Sequence, residues 1–154
     1  MKVKNYSINL KNFILILILF VLALFSFIFW KVSDYGTRRV FIFESSDSKT
    51  LCIENRFVKG ESSASKYQMY IDELLLGPIS EHCKPVFSTE TKVLSCFERE
   101  GTLFVDLSSD LVKVNASSGD FKYKIELFRK NILSNFTSLK KVEVFIQGNV
   151  PFEY

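Results

Sequence analysis

The chain has 154 residues, a formal charge of +3 and 47% hydrophobic side chains, a composition that suits one folded domain and one apolar segment. Three of its 20 basic residues, Lys2, Lys4 and Lys11, lie at or before the start of that segment, and all 17 acids follow it. The rest of the chain is therefore close to neutral, which removes the long-range attraction that nucleic-acid binding draws on.

Residues 1–12 form a short basic tip. Residues 13–30, FILILILFVLALFSFIFW, carry no charge and a single hydroxyl, Ser26. A helix at about 1.5 Å per residue makes this stretch roughly 27 Å long, enough to cross the hydrocarbon of a bilayer. The basic residues flanking it nearly tie, with Lys31, Arg38 and Arg39 set against Asp34 on the far side. A positive head before an apolar run is nevertheless the layout of a signal or signal anchor. The bulky end Phe27-Ile28-Phe29-Trp30 opposes cleavage, because a signal peptidase needs small residues there. The expectation is a single-pass anchor in the cytoplasmic membrane, N-terminus inside, in contact with the bilayer through residues 13–30. Residues 31–37 serve as a short linker, and residues 38–154 form an extracytoplasmic domain.

Within that domain, Arg39–Glu44 and Leu51–Val58 read as strands across a polar turn. Ala64–Leu76 reads as a helix capped by Ser62 or Ser63, with Tyr67, Ile71, Leu74 and Leu75 on one face and Gly77-Pro78 as its stop. Lys92–Glu98 and Leu103–Leu107 form a hairpin about Glu100-Gly101. Lys113–Gly119 reads as a loop, and Asp120 caps a second helix with an apolar stripe of Phe121, Ile125, Phe128, Ile132 and Phe136. Lys141–Gln147 closes the domain as a strand. The order ββα-ββ-αβ predicts an α+β fold, two helices packed on a mostly antiparallel sheet.

Phe41, Phe43, Phe104 and Phe145 alternate with Val40, Ile42, Val105, Val144 and Ile146. A sheet with helices on one side leaves one of these sets uncovered. Either loops and curvature bury it, or it is an apolar docking surface, where each ring removed from water contributes roughly 2–3 kcal/mol.

Chemistry-bearing residues are sparse. Cys52, Cys83 and Cys96 lack the paired spacing of zinc or redox sites. Outside the cytoplasm one disulfide can form among them, with ends the sequence does not assign, while Cys52 and Cys96 suit core positions equally well. His82 beside Cys83 has the wrong geometry for a nucleophile pair. Asp106 and Asp110 flank Ser108-Ser109, a composition typical of side chains that satisfy a turn, although a carboxylate pair is also what glycoside chemistry uses. There is no phosphate loop, nucleophile elbow or HExxH motif. The Asn115 and Asn135 sequons carry meaning only in a glycosylating secretory route.

Four stretches in order resemble one family: Arg39-Val40-Phe41-Ile42-Phe43, Ile71-Asp72-Glu73-Leu74-Leu75-Leu76-Gly77-Pro78, Thr91-Lys92-Val93-Leu94-Ser95, and Glu100-Gly101-Thr102-Leu103-Phe104-Val105-Asp106-Leu107-Ser108. With the helix Phe121–Phe136 and the strand Val142–Ile146 they resemble the GerMN domain of bacterial sporulation and germination proteins, over about residues 38–149. The resemblance implies an extracytoplasmic scaffold module with no catalytic residues, related in fold to ring-building domains. Two features depart from the family: a single copy where the sporulation protein has two, and a plain apolar anchor where many relatives carry a lipid-modified cysteine.

The expected function is a non-catalytic envelope scaffold or protein–protein interaction module, with other envelope proteins or a second copy as partner. The expected surface comprises Phe41, Phe43, Phe104 and Phe145, with Gly77, Pro78, Asp106 and Asp110. A cell-wall glycan-binding module is the alternative, and an enzyme acting on envelope glycans is a third reading. No catalytic residue, cofactor, metal or nucleic-acid partner is expected.

Overall fold

A computed structural model describes residues 10–33, 36–48, 50–59, 65–113 and 118–151. The chain falls into two compact units, Met1–Tyr35 and Gly36–Tyr154. The first holds helix α1, Leu10–Ser33, which is long and apolar enough over Lys11–Phe29 to cross a membrane. The consecutive residues Phe13, Ile14, Leu15, Ile16 and Leu17, which pass once round the helix, are all exposed, as expected of a helix with no polar face.

The second unit contains β1 (Thr37–Ser45), β2 (Leu51–Val58), α2 (Ser65–Leu75), β3 (Cys83–Lys84), β4 (Val93–Arg99), β5 (Thr102–Leu107), a 3-10 turn at Ser109–Lys113, α3 (Ser118–Asn135) and β6 (Lys141–Ile146). This is an α+β fold, but its strands divide into two three-stranded sheets, ordered β2-β1-β3 and β4-β5-β6. The single sheet expected from strand order is corrected to this pair, and a two-residue strand joins the first. All pairings are antiparallel except β5 with β6, and that parallel pair is connected through α3, as a parallel connection requires. The stretch expected to be a loop at Lys113–Gly119 instead contains the end of the 3-10 turn and the start of α3. The proposed caps Ser62 and Ser63 lie outside the described residues.

Both helices touch both sheets: α2 meets β2 and β4, and α3 meets β1 and β6. Between them lies one core of Phe41, Phe43, Tyr70, Ile71, Leu74, Leu103, Val105, Leu107, Ile125, Phe128, Ile132 and Val144, all fully buried. Phe41 and Phe43, expected on a docking surface, are therefore core residues. Phe41 stacks on Tyr70 at 4.8 Å between centroids. On the same face of the sheet, the Arg56 guanidinium lies 4.8 Å from the Phe41 ring and 5.5 Å from Phe43, covering them with a planar cation.

Two asparagines complete the open side of β1. Fully buried Asn131 accepts from the Ile42 amide at 2.7 Å and donates to the Ile42 carbonyl at 2.8 Å. One helical turn on, Asn135 does the same for Val40, at 2.8 Å and 2.7 Å. The Tyr70 hydroxyl also donates to the Val40 carbonyl, and burial drives its pKa upward. A disulfide joins Cys52 on β2 to Cys83 on β3, with Cα atoms 6.2 Å apart. Cys96 is the free thiol.

Candidate functional site

Strand alternation places the candidate surface. On β5, Leu103, Val105 and Leu107 point into the core, so Thr102, Phe104 and Asp106 face outward. On β6, Val142 and Val144 are buried and Glu143 and Phe145 lie on the outer side. The hairpin turn, with positive φ at both Glu100 and Gly101, fixes the register that sets Phe97 opposite Phe104. Three rings then run across the sheet: Phe97 stacks on Phe104 at 5.1 Å and 14°, and Phe104 lies 6.4 Å and 25° from Phe145. Phe97 is 55% exposed, and the other two are half-buried. Beside the row, an open groove is lined by Phe104, Phe145, Arg129, Lys130, Leu133 and Lys140. Its charges are partly balanced, Arg129 by Glu126 at 2.7 Å and Lys141 by Glu143 at 2.5 Å.

Gly77 and Pro78 occupy a different place. Gly77 is buried, and Pro78 half-buried, in a loop whose neighbours Leu76 and Ile79 are 68% and 78% exposed. Side chains from β2 hold this loop. Arg56 donates to the Gly77 carbonyl at 2.8 Å, and the Glu54 carboxylate accepts from the Ile79 and Ser80 amides. Arg56 and Glu54 are also paired with each other. Burial raises the Glu54 pKa, but the Arg56 hydrogen bonds and the two amides outweigh it and leave the carboxyl below its ordinary value.

Asp106 and Asp110 serve local structure. Asp106 accepts from the Gly148 amide at 3.0 Å, closing the turn after β6. Asp110 accepts from the Ser108 hydroxyl, whose oxygen in turn accepts from the Lys92 amide. Glu73 approaches Arg56 instead, so these three carboxylates engage three separate partners. The Cys96 thiol is pushed up to about 11 by burial and then by the nearby Asp72 charge, which leaves little thiolate at neutral pH. His82 is exposed, 3.7 Å from Asp47. Among the described residues, no group of three or more His, Cys, Asp or Glu side chains could hold a metal ion. The Asn135 amide of the second sequon is committed to Val40 and Tyr70, and Asn115 lies outside the described residues.

The Germane family, described as sporulation and spore germination, matches residues 40–150. The chain belongs to this family. Its GerMN domain shares its fold with the first GerMN domain of the sporulation protein GerM from Bacillus subtilis, with a TM-score of 0.57 at 18% identity over 75% of this chain and 90% of that one. The tandem GerMN domains of the same protein give 0.52 at 15% identity, covering 74% of this chain and 40% of that one. An uncharacterized lipoprotein of Treponema pallidum (strain Nichols) is 26% identical over 102 residues, 66% of this chain and 76% of its own length. Within the GerMN domain, every described ring of the outer row sits on the β4-β5-β6 sheet. Phe97, absent from the residues singled out in the sequence, was marked by its register opposite Phe104.

Proposed function

We propose that this GerMN domain is a non-catalytic interaction module of the cell envelope that docks a protein partner on the row Phe97–Phe104–Phe145. In this reading α1 is a retained anchor in the cytoplasmic membrane, with the basic tip inside and the domain outside. The aromatic row carries the proposal. Three aligned rings on a sheet face whose opposite side is fully packed leave apolar area for a partner to cover, at roughly 25 cal/mol per Å² removed from water. The dispersed carboxylates and suppressed thiol favour binding over catalysis.

Crosslinking in native membranes, followed by identification of the attached proteins, tests it. Phe104→Ser in the full chain is expected to abolish most of the capture and to leave the melting temperature within a few degrees. A large fall in melting temperature instead makes Phe104 a core residue and overturns the docking role. Flat, parallel rings also suit sugar faces, which sustains a cell-wall glycan reading. Sedimentation with purified peptidoglycan separates the two: binding that disappears with Phe104→Ser favours the glycan.

A further inference from the structure

We propose that β2 is a self-association strand that pairs antiparallel with β2 of a second copy, with Asn55 opposite Asn55 across the two-fold axis. This surface lies on the other sheet from the aromatic row and stands independently of it.

The hydrogen-bond parity of the first sheet shows which β2 groups face outward. The Val40 and Ile42 amides of β1 bond to Asn135 and Asn131, and the Ser45 amide bonds to Thr50. Arg39, Phe41 and Phe43 therefore bond toward β2, where they face Arg56, Glu54 and Cys52. It follows that Leu51, Ile53, Asn55 and Phe57 direct their amides and carbonyls to the side of β2 on which no strand lies among the described residues. The same residues carry exposed side chains: Ile53 is 65% and Phe57 67% exposed, with Leu51 and Asn55 exposed as well.

Proteins protect such edges with lysine, proline, bulges or cover. The other side of β1 is sealed by asparagines, β4 has a register irregularity between Val93 and Ser95, and β6 carries Lys141 and Glu143. By contrast β2 pairs in unbroken register over eight residues that include neither Lys nor Pro.

The exposed side-chain pattern identifies the occupant and the register. Centred on residue 55, exposed Ile53 faces Phe57 of the second copy and Asn55 faces Asn55, so apolar meets apolar and amide meets amide, while Glu54 and Arg56 stay paired within each copy. Shifting the centre to 54 sets Ile53 against Asn55, and shifting it to 56 sets Asn55 against Phe57; each opposes an apolar side chain with an amide and loses the matched pairs. The matched register forms about six new backbone hydrogen bonds through residues 53, 55 and 57 of each copy. The strand Ile-Glu-Asn-Arg-Phe thus complements itself when reversed.

The test uses the full chain in detergent and in native membranes, with single cysteines introduced into a Cys96→Ser background. Opposed residues in such a pair have Cα atoms about 5.5 Å apart, whereas residue 53 of one copy lies about 14 Å from residue 53 of the other. A short bifunctional maleimide is expected to link Asn55→Cys into a dimer and to leave Ile53→Cys and Phe57→Cys unlinked. Asn55→Pro removes only an outward amide, so it is expected to shift the protein from dimer to monomer by light scattering with its melting temperature kept. Phe104→Ser is expected to remain dimeric while losing partner capture. A dimer that survives Asn55→Pro, equal linkage at 53, 55 and 57, or a wild-type chain that is monomeric by light scattering while Asn55→Cys stays unlinked in membranes each overturns the proposal.

Discussion

Asn131 and Asn135 act on the edge of β1 as a neighbouring strand would, since each side-chain amide offers one acceptor and a donor at the spacing of a peptide group. Their positions one helical turn apart on α3 match the two-residue step from Ile42 to Val40 on the strand. Asn131→Leu keeps much of the volume but leaves the buried Ile42 amide and carbonyl without partners. It is expected to cost about 2–4 kcal/mol in urea denaturation, and Asn135→Leu, at a half-buried site, less. Glu54 adds a pH dependence. Its folded pKa lies below the ordinary 4.5, so its contribution is complete above that value and is lost as pH falls through the folded pKa. The melting-temperature gap between wild type and Glu54→Gln is therefore expected to be widest near neutrality and to shrink in acid below pH 4.5.

At the scale of elements, the disulfide clamps β2 to β3 across a sequence separation of 31. Loop-closure entropy for a loop of this size amounts to about 3–4 kcal/mol, and the paired replacement of Cys52 and Cys83 by Ser is expected to lower stability by up to that amount. Gly77 stops α2 at φ 89°, where an added Cβ would lie 3.2 Å from the Pro85 Cβ. Gly77→Ala is expected to cost about 1–2 kcal/mol by the same denaturation measurement. The elements most legible in the sequence were those with their own local chemistry: β6 from its alternation, the β4–β5 hairpin from Glu100-Gly101, and the end of α2 from Gly77-Pro78. The partition into two sheets was not legible, because strand order alone does not say which strands pair. Phe41 and Phe43 were misplaced for that reason, yet a signal existed. The run Val40–Phe43 is apolar without alternation, the mark of a strand covered on both faces. The disulfide was similarly hidden, because Cys83 meets Cys52 only through a two-residue strand too short to announce itself.

For the whole molecule, the question is what α1 contributes to a domain with a complete core of its own. A retained anchor would confine the domain to a thin layer at the bilayer and raise its effective concentration for partners in the same membrane, without a new contact. Under the proposed topology, the full chain is expected to stay in the membrane pellet after high salt, and a reporter fused after Tyr154 to be active only outside the cytoplasm. Release into the soluble fraction at reduced mass would mean that the apolar segment is cleaved. If confinement is the sole role of α1, replacing residues 1–35 with a cleavable lipoprotein leader is expected to preserve crosslinking to the same partner. A cleavable secretory leader in the same place is expected to yield a soluble domain with unchanged melting temperature and weakened capture. Equal capture by the soluble form would show that partner affinity alone suffices. Loss of capture in the lipid-anchored form would give α1 a contact of its own within the bilayer.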